Sequence, residues 1–158
     1  MNHIKKSLTI LAAMAAMAAF ATAADAPNFS GTWKLNVDKS TFGPIPPPTS
    51  GTRKVDHKDP NLTVETAQSS AMGDQNTTMK LTTDGKETTN DMMGNPVKCT
   101  AKWDGAALVI SESLDFQGTA VTINDKWTLS DDGKTLTSAT HIVSPQGEFD
   151  LTQIFEKQ

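Results

Sequence analysis

The chain has 158 residues, with 14 basic and 18 acidic side chains, a net charge of −4 and a single arginine, Arg53. An acidic chain without a basic run lacks the electrostatic footprint of nucleic-acid recognition and has little attraction for anionic membrane. With Cys99 as the only cysteine no intramolecular disulfide can form, so an apolar core must hold the fold, and Cys99 is expected inside it as a small hydrophobe.

At the N-terminus, Lys5 and Lys6 precede an apolar run from Leu8 to Phe20 and then Ala21-Thr22-Ala23, the charged, apolar, small-residue order of a secretory signal peptide. The run falls short of the roughly 20 apolar residues that span hydrocarbon. Cleavage after Ala23 and a periplasmic or secreted location are therefore expected, with no stable membrane insertion. Removal of residues 1–23 leaves one domain, 24–158, of 135 residues carrying 12 basic and 18 acidic side chains.

The rest of the chain is rich in Thr and Val, shows no sustained 3.6-residue period, and is punctuated by Asp84-Gly85, Asp104-Gly105 and Asp132-Gly133. Such pairs signal hairpins, because glycine takes the positive φ of a two-residue turn without penalty. Ten strands are predicted, near 31–37, 52–58, 61–67, 76–83, 86–92, 96–103, 106–116, 119–130, 134–143 and 148–157. The segment from Asp38 to Gly51, with Gly43-Pro44-Ile45-Pro46-Pro47-Pro48, cannot be helical and reads as an extended crossing loop.

The turns set the registers. A turn at Asp104-Gly105 places Ala101 opposite Leu108 and Val97 opposite Glu112. A turn at Gln117-Gly118 places Ile110 opposite Asp125 and Leu108 opposite Trp127. Asp132-Gly133 then sets Trp127 against Ser138 and Asp125 against Thr140, and the loop 144–147 sets Ser138 against Gln153 and Leu136 against Phe155. Gly94-Asn95 sets Met92 against Val97, Asp84-Gly85 sets Met79 against Asn90, and Asp59-Pro60 sets Val55 against Val64, which brings Arg53 and His57 to the Val55 face. These pairs share one side, while Ser111, Thr122, Asn124, Lys126 and His141 fall on the other, and a one-residue slip would reverse the assignment. An all-β, ten-stranded antiparallel up-and-down barrel hides that side and removes the sheet edges; a two-sheet β-sandwich is the alternative closure.

The derived interior mixes apolar and polar groups, as small-molecule pockets do. Candidate ligand-binding residues are Arg53, His57, Glu112, Asp125, Trp127, Thr140, Gln153 and Phe155. Only His57 and His141 follow residue 23, without Cys-x-x-Cys or His-Glu-x-x-His spacing, so neither metal nor cofactor is expected. No Gly-x-Ser-x-Gly and no recognisable Cys-His spacing points to nucleophilic catalysis. A hydrolase or isomerase would have to divide acid and base roles between Glu112 and Asp125. A third reading is an inhibitor or scaffold acting through its outer surface.

Gly31-Thr32-Trp33-Lys34-Leu35 and Thr152-Gln153-Ile154-Phe155-Glu156-Lys157 resemble the two ends of the intracellular fatty-acid-binding proteins, and Gly-x-Trp more broadly resembles the lipocalins and avidins of the calycin group. The resemblance implies a carrier of a lipophilic or amphipathic molecule, with Trp33 closing the barrel floor; that family is cytosolic, and the export expected from the N-terminal segment brings this chain closer to lipocalins in use. The chain departs from it in that the segment from Asp38 to Gly51, where the family places two lid helices, cannot be helical. Gln153 and Phe155 also stand where the family's Arg-x-Tyr clamps a carboxylate. With Glu112 and Asp125 inside as well, a ligand bearing a hydroxyl, amide or cation is expected over a fatty acid, unless Arg53 points inward and offers its guanidinium to an anion.

Overall fold

The computed structural model describes residues 26–158, so the expected signal peptide lies outside the described residues. Alternating side chains and turn glycines produce ten strands: β1 (Gly31–Thr41), β2 (Ser50–Lys58), β3 (Asn61–Ser70), β4 (Gly73–Thr82), β5 (Thr88–Met92), β6 (Asn95–Asp104), β7 (Ala107–Phe116), β8 (Thr119–Leu129), β9 (Thr135–Ser144) and β10 (Gly147–Lys157). Their order in the sheet is β4-β3-β2-β1-β10-β9-β8-β7-β6-β5, with every neighbouring pair antiparallel. The first strand pairs with the last, Trp33 opposite Lys157 and Leu35 opposite Phe155. This is the expected up-and-down barrel, nearly closed.

Closure is incomplete between β4 and β5, and the predicted Met79–Asn90 hairpin pairing does not form. The reason is local: Asp84 bridges Lys102 and the Gly85 N–H donates to the Ala101 carbonyl, so the residues meant to turn β4 into β5 are taken by β6. The Asn90 side chain spans the gap instead. Its Oδ1 accepts from the Lys80 N–H at 2.7 Å and its Nδ2 donates to the Lys80 carbonyl at 3.1 Å, so one amide replaces a peptide unit of the missing ladder.

Two other registers differ from expectation, each by two residues. Ala101 faces Ile110 and Cys99 faces Glu112, because Gly105 (φ 61°) is the first central residue of the turn, the glycine position of a type II′ turn, rather than the second. Met92 faces Asn95 and Asn90 faces Val97, because Met93 (φ 56°) and Gly94 (φ 84°) both take the positive φ of a type I′ turn. A shift of two keeps every side chain on its face. The predicted pairings of β7 with β8, β8 with β9, β9 with β10 and Val55 with Val64 are observed.

In a meander, alternate connections share an end. One end, the floor, receives the turns after β2, β4, β6 and β8 and is packed solid by Phe29, Trp33, Leu62, Leu108 and Leu136, all fully buried. The Trp33 Nε1–H donates to the Phe29 carbonyl at 2.9 Å, and the Phe29 ring stacks on Trp103 and meets Trp127 edge-on. Gly31 sits at φ 143°, and a Cβ there would stand 2.9 Å from Lys157 Cε, which accounts for the glycine of the Gly-x-Trp. The other end, the mouth, receives the connections after β1, β3, β5, β7 and β9. The first of these, residues 42–49, contains no helix; it is tied down by Thr49 N–H donating to the Ser69 carbonyl and by buried Pro48.

Candidate ligand site

Above the floor the inward-facing positions are only half-buried, so the barrel opens as a cup. One wall is apolar, from Leu114, Val121, Ile123, Ile142, Phe149 and Leu151, and the facing wall of β3 and β4 presents Thr66, Gln68, Gln75 and Thr77. The two walls follow directly from the alternation of each strand, carried in register around the sheet.

Between cup and floor lies a layer of charge. β2 carries Arg53 inward, where it is buried with its Cζ 4.8 Å from the Trp127 ring centre and 4.4 Å from that of Phe155. Two aromatic faces on a desolvated guanidinium contribute on the order of 2 kcal/mol. Its Nε and Nη1 are buried with no hydrogen-bond partner among the described residues. Burial pushes the guanidinium pKa down, while Asp125 and Glu112 pull it back up.

Asp125 is held from three sides. Trp127 Nε1–H donates to Oδ2 at 2.6 Å, Ser138 Oγ–H lies 2.7 and 2.9 Å from the two oxygens, and Thr140 Oγ1–H donates to Oδ1 at 3.1 Å. Its acceptors are therefore occupied by neutral donors and not by Arg53. Glu112, diagonal to Asp125 across β7 and β8, is buried, and burial and then Asp125 push its carboxyl up to about 7 against the opposing pull of Arg53. Near neutral pH the layer thus holds the Arg53 guanidinium, the hydrogen-bonded Asp125 and a Glu112 carboxyl poised between its two forms.

The structure gathers Arg53, Glu112, Asp125, Trp127, Thr140 and Phe155 in this layer, with half-buried Gln153 opposite Ser138 on the cup side. His57 is inward but stands apart, in the floor. Its Nδ1 accepts from the Phe29 N–H at 3.3 Å, its ring lies 5.8 Å from that of Trp103, and Nε2 is 3.6 Å from Asp59 Oδ1. Its role there is packing. Ser138 adds a member to the candidate residues; its sequence signal is the register that sets it beside Trp127 and diagonal to Asp125. Phe29 carries no sequence signal for the core, because it precedes the first strand and has no alternation to belong to. Cys99 is fully buried, as expected. A surface depression of about 450 Å³ lies across β7 to β10 around Lys126, His141 and Asp150, and Asp125 and Thr140 of the layer also contribute to its lining.

No protein-family profile matches the chain, and no curated protein does either. Among solved structures, the chain is similar to zebrafish ileal bile acid-binding protein complexed with cholic acid, at 16% identity and a TM-score of 0.58 over 82% of this chain and 98% of that one. It is also similar to a secretory abundant heat soluble protein of Ramazzottius varieornatus, at 11% identity and a TM-score of 0.60 over 82% and 94%, and to that organism's secretory abundant heat soluble protein 4, at 15% and 0.53 over the same shares. The fold is a calycin-like small β-barrel of the fatty-acid-binding-protein type.

Proposed function

We propose that this chain is an exported carrier of a small amphipathic molecule, which it holds in the barrel with an anionic or hydrogen-bond-accepting head toward Arg53. One observation carries the reading: a buried guanidinium keeps two donor nitrogens without partners beneath a cup that is apolar on one wall and hydroxyl- and amide-bearing on the other. Leaving such donors unsatisfied costs about 1–3 kcal/mol each, which an acceptor on a ligand recovers. The guanidinium reaches the head group by turning its terminal torsion from the Trp127–Phe155 layer toward the cup. The inward Arg53 removes the main ground for preferring a neutral or cationic ligand, since its guanidinium and a partly neutral Glu112 offset the repulsion that the inward acidic pair would offer an anion.

Titration with dodecanoate, dodecanol and dodecylamine, followed by tryptophan fluorescence, tests this, because Trp127 lies against Arg53. Tightest binding of dodecanoate, weakened by Arg53→Met, is the expected result; preference for the amine, or equal binding of all three, contradicts it. Cholate is a second probe, since it joins a carboxylate to a hydroxylated face that suits the Thr and Gln wall.

A further inference from the structure

Five large apolar side chains are exposed among the described residues: Ile45, Met72 (81% exposed), Met93 (65%), Phe116 and Val143. All five lie at the mouth, one on or beside each of the connections after β1, β3, β5, β7 and β9, and none lies at a floor connection. Scattered single hydrophobes are ordinary on a surface, but here all five share one end of the barrel. The charges of the same rim have one sign. Asp74, Asp91, Asp115 and Glu148 stand within two residues of the turns, and no Lys or Arg occurs in residues 40–51, 69–75, 90–97, 114–120 or 142–149. The floor connections, by contrast, mix Lys58, Lys86 and Lys134 with Asp59, Asp84, Asp131 and Asp132.

We propose that the mouth is a docking surface for a protein partner that presents a basic, apolar amphipathic face, with lysines or arginines meeting the four rim carboxylates and aliphatic side chains meeting Met72, Met93 and Phe116. The charge decides among occupants. A second copy docked mouth to mouth would oppose carboxylate to carboxylate, and an anionic bilayer would be repelled in the same way. Peripheral membrane surfaces carry Lys and Arg around their apolar face, which this rim lacks. Exposed methionines suit a protein partner, because their unbranched thioethers adapt to the surface they meet. The proposal does not depend on what fills the barrel.

The test uses the purified protein with two synthetic amphipathic helical peptides of equal apolar content, one Leu/Lys and one Leu/Glu, read by fluorescence anisotropy at low and high salt. The Leu/Lys peptide is expected to bind at unit stoichiometry, more weakly as salt screens the rim, and the Leu/Glu peptide is expected not to bind. Met72→Ser with Met93→Ser, which leaves every charge in place, should weaken binding at least about tenfold. Asp74→Asn with Asp91→Asn and Asp115→Asn should do the same, and Asn keeps the Oδ1 acceptor that Asp91 and Asp115 offer to the Gly94 and Gly118 N–H groups. The matched loss of three floor charges, Glu87→Gln with Asp131→Asn and Asp132→Asn, should change binding less than about twofold. Floor variants that weaken binding as much as rim variants would reduce the effect to net charge and overturn the proposal. So would binding indifferent to Met72 and Met93, tighter binding to phosphatidylcholine or phosphatidylglycerol vesicles than to the peptide, or a concentration-dependent dimer abolished by the methionine variant.

Discussion

Replacing Glu112 with Gln isolates the electrostatics of the buried layer, because the variant keeps the shape and removes the titration. Glu112 faces Arg53 from β2, Asp125 from β8 and Cys99 from β6, and the thiol, pushed up by burial, stays neutral across the range that matters. Its pKa rises from the ordinary 4.5 to about 7 in the folded chain. The folded state therefore holds a proton that the unfolded state releases between these values. The contribution to stability is complete below pH 4.5, declines as pH rises, and levels off above pH 7. A shift of this size corresponds to about 3 kcal/mol. Urea unfolding of both proteins at pH 4.5, 6 and 8 should give near-equal stabilities at the lowest pH and a Glu112→Gln variant more stable by up to about 3 kcal/mol at the highest. Parallel curves would refute the reasoning. A variant less stable than the parent at pH 8 would mean that Glu112 is ionised and paired with Arg53.

Trp33→Ala should lower stability by about 3–5 kcal/mol in denaturant melts, since the ring is fully buried and its N–H is satisfied by Phe29; a loss under about 1 kcal/mol would deny Trp33 its place in the floor. Asn90→Ala should cost about 1 kcal/mol and speed hydrogen exchange at the Lys80 amide above all others in β4, whereas uniform exchange along β4 would show that the side-chain bridge closes nothing. Export should leave Ala24 as the first residue of the mature chain, read from its intact mass; retention of residues 1–23 would make the apolar run an anchor.

Much of this architecture is legible in the sequence because each strand carries two independent signals, side-chain alternation and a turn glycine, which must agree around the barrel. Where a turn glycine could occupy either central position, as at Gly105 and Gly94, alternation alone cannot choose between registers two residues apart, because either register leaves every side chain on the same face. The β4–β5 gap was not legible, because Asp84-Gly85 has hairpin chemistry but is captured by β6, a long-range competition that no local pattern records. Parity carries the two acidic side chains and Trp127 inward, and brings Arg53 to the Val55 face without deciding whether its guanidinium enters the barrel. Which of them would touch could not follow from parity, since Arg53 meets Trp127 and Phe155 across the barrel and not along a ladder. His57 shares Arg53's parity yet lies in the floor, four residues further along β2.

Arg53 is the only arginine in the chain, so a single side-chain Nε–H resonance reports on it without assignment ambiguity. Followed by ¹⁵N-resolved NMR while dodecanoate is added, that resonance should shift and saturate with the tryptophan fluorescence change, as a donor without a partner acquires one, and dodecylamine should leave it in place. A saturating fluorescence response to dodecanoate with the Arg53 resonance unmoved would place the head group elsewhere in the barrel and contradict the account.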